Sequence, residues 1–190
     1  MGNENLTAAE AMEKLKEGNQ RYLEAKTNPG DVSLQIRKKT CDEGQVPYAI
    51  VITCSDSRVI PESIFSAGIG ELFVIRVAGN VMDKHQLGSV EYAAGHLGSA
   101  LVVVLGHTHC GAVGAALSSE PSGHVKFITD EIRKAIGEEK DETRACCLNV
   151  ARSVSIIKDS LDIQELEAQG GLKVCGALYH IDSGKVEFLD

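Results

Sequence analysis

The chain has 190 residues, 43% of them hydrophobic, and a formal charge of −8 at pH 7, which is enough apolar material for one core and predicts a single domain over residues 1–190. The acidic balance, with no basic stretch interleaved with aromatics, argues against nucleic acid and anionic membrane as partners, and no segment has the length of an apolar membrane span. The opening M-G-N-E-N-L-T has neither the basic and apolar regions of a secretory signal nor, after Gly2, the Ser or Thr of a myristoylation motif, so a cytoplasmic chain without a lipid anchor is expected.

Thr7 and Glu10 form a capping box ahead of a helix whose apolar positions, Met12, Leu15 and Tyr22, recur at helical spacing. A long polar stretch containing Gln45 separates this helix from the first strand, and an outlying amphipathic helix needs a partner surface. Residues 1–40 therefore read as an N-terminal helical arm and residues 45–190 as the core. Tyr48 to Thr53 (Y-A-I-V-I-T) is a short apolar, β-branched run of the kind found in buried parallel strands, and it ends on C-S-D-S-R, Cys54 to Arg58. Leu72 to Val77 predicts a second strand, carrying Phe73 and Arg76, the latter readable as a salt-bridging strand residue. Gly79 and Asn80 after it suit a turn, with backbone contacts on the substrate side as the alternative reading. A helix over Lys84 to Gly98 carries Tyr92.

The strand predicted at Leu101 to Leu105 (L-V-V-V-L) leads into H-T-H-C-G, His107 to Gly111. A short helix begins over Gly111 to Leu117, and its amino end offers backbone N–H groups to developing negative charge. Glu120 to Gly123 break the chain. Val125 to Ile136 and Thr143 to Ile157 read as surface helices with charged outer faces. A helix at Asp162 to Ala168 is ended by Gly170 and Gly171. The last strand, Leu172 to Ile181, turns at Asp182 to Gly184 toward K-V-E-F. The fold class is α/β: a mostly parallel central sheet flanked by helices, with the N-terminal helical arm.

Loops at the carboxyl ends of parallel strands are where open α/β folds place their chemistry. Here those loops carry Cys54, His107 and Cys110. Two thiolates and an imidazole suit zinc, and three protein ligands leave the fourth position open, as in catalytic sites. His109 competes by spacing, but it adjoins Cys110, and adjacent residues do not usually converge on one ion. The same residues also admit a closed structural site with Asp56 as fourth ligand, and Asp56 with Arg58 also reads as an ordinary ion pair. The six cysteines read as reduced thiols. Cys41 is left over, and Cys146, Cys147 and Cys175 read as small buried hydrophobes.

C-S-D-S-R-V at Cys54 to Val59, A-G-N at Ala78 to Asn80, E-Y-A at Glu91 to Ala93 and H-T-H-C-G at His107 to Gly111 resemble, in order and separation, the signature of the β-class carbonic anhydrases. The resemblance runs from about Leu15 to the C-terminus. It implies one zinc ion per chain on Cys54, His107 and Cys110, with water or hydroxide as fourth ligand, and reversible hydration of carbon dioxide to bicarbonate and a proton. It further implies that Asp56 orients the zinc hydroxide and that Arg58 holds Asp56.

Gln45 stands where plant-like, accessible-site members carry a substrate-binding Gln contributed across a dimer interface. The bicarbonate-inhibited subtype carries Trp three residues before the first Cys ligand; here that position is Val51, and the chain has no Trp. Phe73 and Tyr92 match positions that line the substrate pocket, and Gly111 lies on the substrate side of the second ligand motif. Val77 departs from the family, which commonly has Asn there. The family's N-terminal helix lies across a neighbouring subunit, implying a homodimer or higher homo-oligomer. Two thiolates cancel the charge of zinc, so its bound water is expected to be a weak acid and activity to rise toward mildly alkaline pH.

Two other functions use the same motifs: hydrolysis of carbon disulfide or carbonyl sulfide, and a non-catalytic zinc-stabilised binding module. Intact Asp56 and Arg58 argue against the second. His85, His96 and His124 are nominal proton shuttles for which a surface role is the simpler reading.

Overall fold

A computed structural model of the chain describes residues 5–24, 27, 28, 30–118 and 120–189. The segment bearing Gly2, on which the expectations about a leader and a lipid anchor rest, lies outside them. The sheet contains β1 (Ala49–Thr53), β2 (Leu72–Arg76), β3 (Leu101–His107), β4 (Lys173–Tyr179) and β5 (Val186–Leu189) in the order β2-β1-β3-β4-β5. The first four are parallel and β5 is antiparallel to β4. Every residue of β1 and β3 is buried, as continuous β-branched runs require when both faces of a parallel sheet are covered. The chain leaves β1 toward β2 and returns on the other side to β3. The carboxyl ends of β1 and β3 thus flank the point where strand order reverses, the usual crevice of open α/β sheets.

Helix α1 (Ala8–Glu24) starts at the expected capping box: the Thr7 N–H donates to Glu10 Oε2 at 2.9 Å and the Glu10 N–H to Thr7 Oγ1 at 3.3 Å. Its partner surface lies within its own chain. Ala11, Met12 and Leu15 join the core that contains Phe65, Val103 and Leu105. Gly18 lets the helix settle, because a Cβ there would stand 2.0 Å from the Phe65 carbonyl oxygen. Asn19 completes the docking, donating to the Ile64 and Gly184 carbonyls and accepting from the Val186 N–H.

The polar stretch after α1 contains a helix, α2 (Leu34–Glu43), capped by Ser33 and with no buried residue. Without an apolar stripe, periodicity gives no sign of it. α3 (Pro61–Ile64) is a single turn, and α4 (Lys84–Gly95) opens on a capping box at Asp83. α5 (Gly111–Ser118), α6 (Val125–Ile136), α7 (Glu142–Lys158) and α8 (Leu161–Ala168) follow. α7 is more than the surface helix its charges suggest, since Ala145, Cys146, Asn149, Val150, Ser153 and Ile157 are buried. Cys146 is buried, Cys147 and Cys175 are half-buried and Cys41 is exposed, all as free thiols. Among the described residues no helix is long and apolar enough to cross a membrane.

Candidate metal centre

Cys54 is the first residue after β1 and His107 the last of β3. β1 and β3 pair with Thr53 level with Leu105, which brings the two ligand positions to one end of the sheet. β3 runs two residues further than the apolar run suggests, so His107 is held in the ladder opposite Tyr179. Cys110 sits in the tight turn that opens α5. The donor atoms of Cys54, His107 and Cys110 all lie within 4.8 Å of one another, and all three residues are buried.

The His107 ring fixes which nitrogen faces the cluster. Nδ1 lies 2.9 Å from the Thr108 carbonyl oxygen, which can only accept, so Nδ1 carries the proton and Nε2 presents a lone pair. That Nε2 is buried without a hydrogen bond. A bare buried nitrogen beside two thiols, oriented by a carbonyl on its other side, is what a bound metal ion satisfies. The donor set fits zinc, which takes sulfur at about 2.3 Å and imidazole nitrogen at about 2.0 Å.

Cys54 is prepared as the thiolate of the pair. Cys54 Sγ accepts the Gly79 N–H at 3.2 Å and the Asp56 N–H at 3.4 Å. The hydrogen bond from Cys110, together with these two N–H groups, pulls the Cys54 thiol down against the effect of burial. The same pairing pushes Cys110 up, opposed by the Ala112 and Val113 N–H groups at the start of α5. The metal-free pair thus shares one proton that a metal must displace. His109 takes no part: its backbone is left-handed at φ 55°, and its exposed ring turns toward Glu142, 3.7 Å away.

The guanidinium of Arg58 forks onto Asp56, with Nε 2.9 Å from Oδ1 and a terminal nitrogen 2.7 Å from Oδ2; the Arg58 N–H adds a third bond to Oδ1. This clamp holds the Asp56 carboxyl well below the usual carboxylate range. Arg58 also donates to the His109 carbonyl at 3.1 Å, tying the first ligand loop to the second. Arg76, a strand residue with a salt-bridging role open to it, instead donates to the Cys54 carbonyl at 3.2 Å and the Asp56 carbonyl at 2.8 Å. Val77 keeps its backbone bonded, its N–H to Thr53 and its carbonyl to Asn80.

Residues 49–186 match the carbonic anhydrase family. Carbonic anhydrase 2 of Mycobacterium tuberculosis is 36% identical over 197 residues, covering 98% of this chain and 95% of that protein. The β-carbonic anhydrase CafA of Aspergillus fumigatus superposes with a TM-score of 0.76 at 28% identity, over 96% of this chain and 88% of that one. The chain belongs to the β-class carbonic anhydrases. A further relative, from a study of two tetrameric β-carbonic anhydrases of Sordaria macrospora, superposes at 0.69 with 28% identity, over 82% and 91% of the two chains. β-Carbonic anhydrases are zinc enzymes, and the Cys54–His107–Cys110 cluster fits that ion.

Of the residues singled out in the sequence of this β-carbonic anhydrase, Cys54, His107, Cys110, Asp56 and Arg58 come together. Gly111 follows the last ligand as the first residue of α5. Gln45 does not join them. It is exposed before β1 while Cys54 follows it, and a five-residue strand alone spans about 16 Å. Phe73 and Tyr92 make their own aromatic contact, with ring centroids 6.3 Å apart. Phe73 is level with Ile50, about 13 Å along the strand from the Cys54 level. The sequence reading named Arg76 and Gly79 but missed their links to the Cys54 loop, because these links run through backbone groups whose partners no motif displays.

Proposed function

We propose that Cys54, His107 and Cys110 hold one zinc ion per chain and that this centre hydrates carbon dioxide reversibly to bicarbonate and a proton. The observation that carries this reading is the lone pair of His107 Nε2, buried without a partner among two thiols. Zinc bound there would make a water lose its proton far more readily than in bulk solvent and so furnish a nucleophile for carbon dioxide.

Asp56 is ionised over the whole working range, so it can only accept hydrogen bonds. An acceptor held rigidly beside the nucleophile fixes its remaining lone pair toward the substrate carbon. Arg58 keeps Asp56 in that role, since a carboxylate engaged through both oxygens is not free to turn onto the metal. Arg76 restrains the same loop from behind. The Gly111 N–H at the start of α5 is suited to the negative charge that builds on a carbon dioxide oxygen, those of Ala112 and Val113 being directed at the Cys110 sulfur.

Gln45, Phe73 and Tyr92 enter this reading as pocket residues completed by a second copy of the chain. The distance of Gln45 and Phe73 from Cys54 within one chain supports that reading, as does the tetrameric assembly of the Sordaria macrospora relatives. Val51, where the inhibited subtype has Trp, favours the plant-like, accessible site. Docking of α1 on the sheet supports treating residues 1–190 as one domain. Reduced thiol ligands favour a cytoplasmic setting.

Elemental analysis tests the ligand set. One zinc per chain is expected in the wild type, and Cys54→Ser and Cys110→Ser are expected to lose zinc and hydration activity together. Full zinc content in Cys54→Ser would overturn the assignment.

A further inference from the structure

We propose that Asn149 and Ser153 of α7 are positioning residues for the metal centre, acting through the backbone of Gly79 on the Cys54 thiolate. The inference rests on Cys54 being a zinc ligand. The two side chains lie one helical turn apart on the buried face of α7, between Ala145, Cys146 and Ile157, and each is only 2% exposed. Polar groups buried on an otherwise apolar face are costly unless paired.

Their partners are two consecutive carbonyls in the turn that follows β2. Asn149 Nδ2 donates to Gly79 O at 2.7 Å, and Ser153 Oγ donates to Asn80 O at 3.0 Å. Both recipients have left-handed backbone, φ 69° at Gly79 and φ 45° at Asn80, a conformation that non-glycine residues such as Asn80 seldom hold without support. Held this way, the turn points the Gly79 N–H at Cys54 Sγ, 3.2 Å away.

The other side of the turn is packed shut. A Cβ at Gly79 would stand 2.9 Å from Ile132 Cδ1 and 3.0 Å from Ala112 Cβ, so α5 and α6 leave the turn no room to slide. α7 provides the polar anchor opposite them. An N–H bond to a thiolate is charge-assisted, fixes the sulfur's direction and tunes the charge it gives a metal. The polar side chains of α7 thereby reach the ligand without touching it.

The test uses the cobalt(II)-substituted full-length protein, reading the thiolate-to-cobalt charge-transfer band, with zinc affinity measured by chelator competition. Wild type is expected to show the band and Cys54→Ser to lose it; a wild type without the band overturns both the ligand assignment and the relay. With the band present, Asn149→Ala is expected to shift it and weaken zinc binding by about 10- to 100-fold. Ser153→Ala, a smaller truncation that carries the test should Asn149→Ala fail to fold, is expected to shift the band the same way by less. Val150→Ala is the control. Its methyls pack over Gly106 and Gly176 rather than the turn, so it is expected to lower the melting temperature and leave band and affinity unchanged. The relay is overturned if the folded α7 variants keep the wild-type band and affinity, or if Val150→Ala moves both as far as they do.

Discussion

Asp56 is largely shielded, with 18% of its side chain exposed, whereas its partner Arg58 is half exposed. A guanidinium so placed contributes little to stability in general, so its two hydrogen bonds to Asp56 point to orientation rather than to folding. Arg58→Ala is accordingly expected to retain one zinc per chain and a near-normal melting temperature while losing most turnover, because Asp56 is then free to turn onto the metal. Zinc content and carbon dioxide hydration measured on one preparation check this. Unchanged turnover would remove Arg58 from the mechanism.

Among the elements, α1 makes the sharpest stability prediction. Leu15 is fully buried against the sheet of its own chain, so Leu15→Ala is expected to cost about 2–5 kcal/mol in denaturant unfolding. A loss under about 0.5 kcal/mol would mean that the helix face is not docked in solution. The capping box and apolar spacing that announce α1 are local signals, as are the β-branched runs of β1 and β3, and these elements were legible in the sequence. The metal cluster was legible for a related reason: both ligand motifs directly follow such runs. α2 was not, because a helix polar on every side has no period to detect. Nor was the inward face of α7, since sequence alone does not say whether Asn149 and Ser153 meet solvent or a buried carbonyl. Arg76 was ambiguous in the same way, readable as an ion-pairing residue until its carbonyl partners are known.

The whole molecule is also tied together at the end of the sheet away from the metal. There Glu71 accepts the Gly68 N–H and pairs with Lys14 of α1 at 2.7 Å. Burial raises the Glu71 pKa, but the Gly68 N–H and Lys14 outweigh it and the net shift is downward. A carboxyl with a folded pKa below its unfolded value of about 4.3 contributes stability above that value, lost as pH falls through the folded pKa. Glu71→Gln is therefore expected to be less stable at pH 7 and to show a flatter fall in melting temperature from pH 5 to 3. An equally steep fall would show that Glu71 does not couple α1 to the sheet.

The association of chains belongs to this scale too, because Gln45, Phe73 and Tyr92 can serve the metal centre only if a second copy brings them there. The chemistry itself is most directly tested by stopped-flow hydration of carbon dioxide on zinc-loaded protein from pH 6.5 to 9, with Asp56→Ala alongside. Two thiolates cancel the charge of zinc and leave its water a weak acid, so turnover is expected to rise with pH and to collapse in the variant. A rate that is absent, flat or falling over this range, or one that Asp56→Ala matches, would contradict the assignment of this centre.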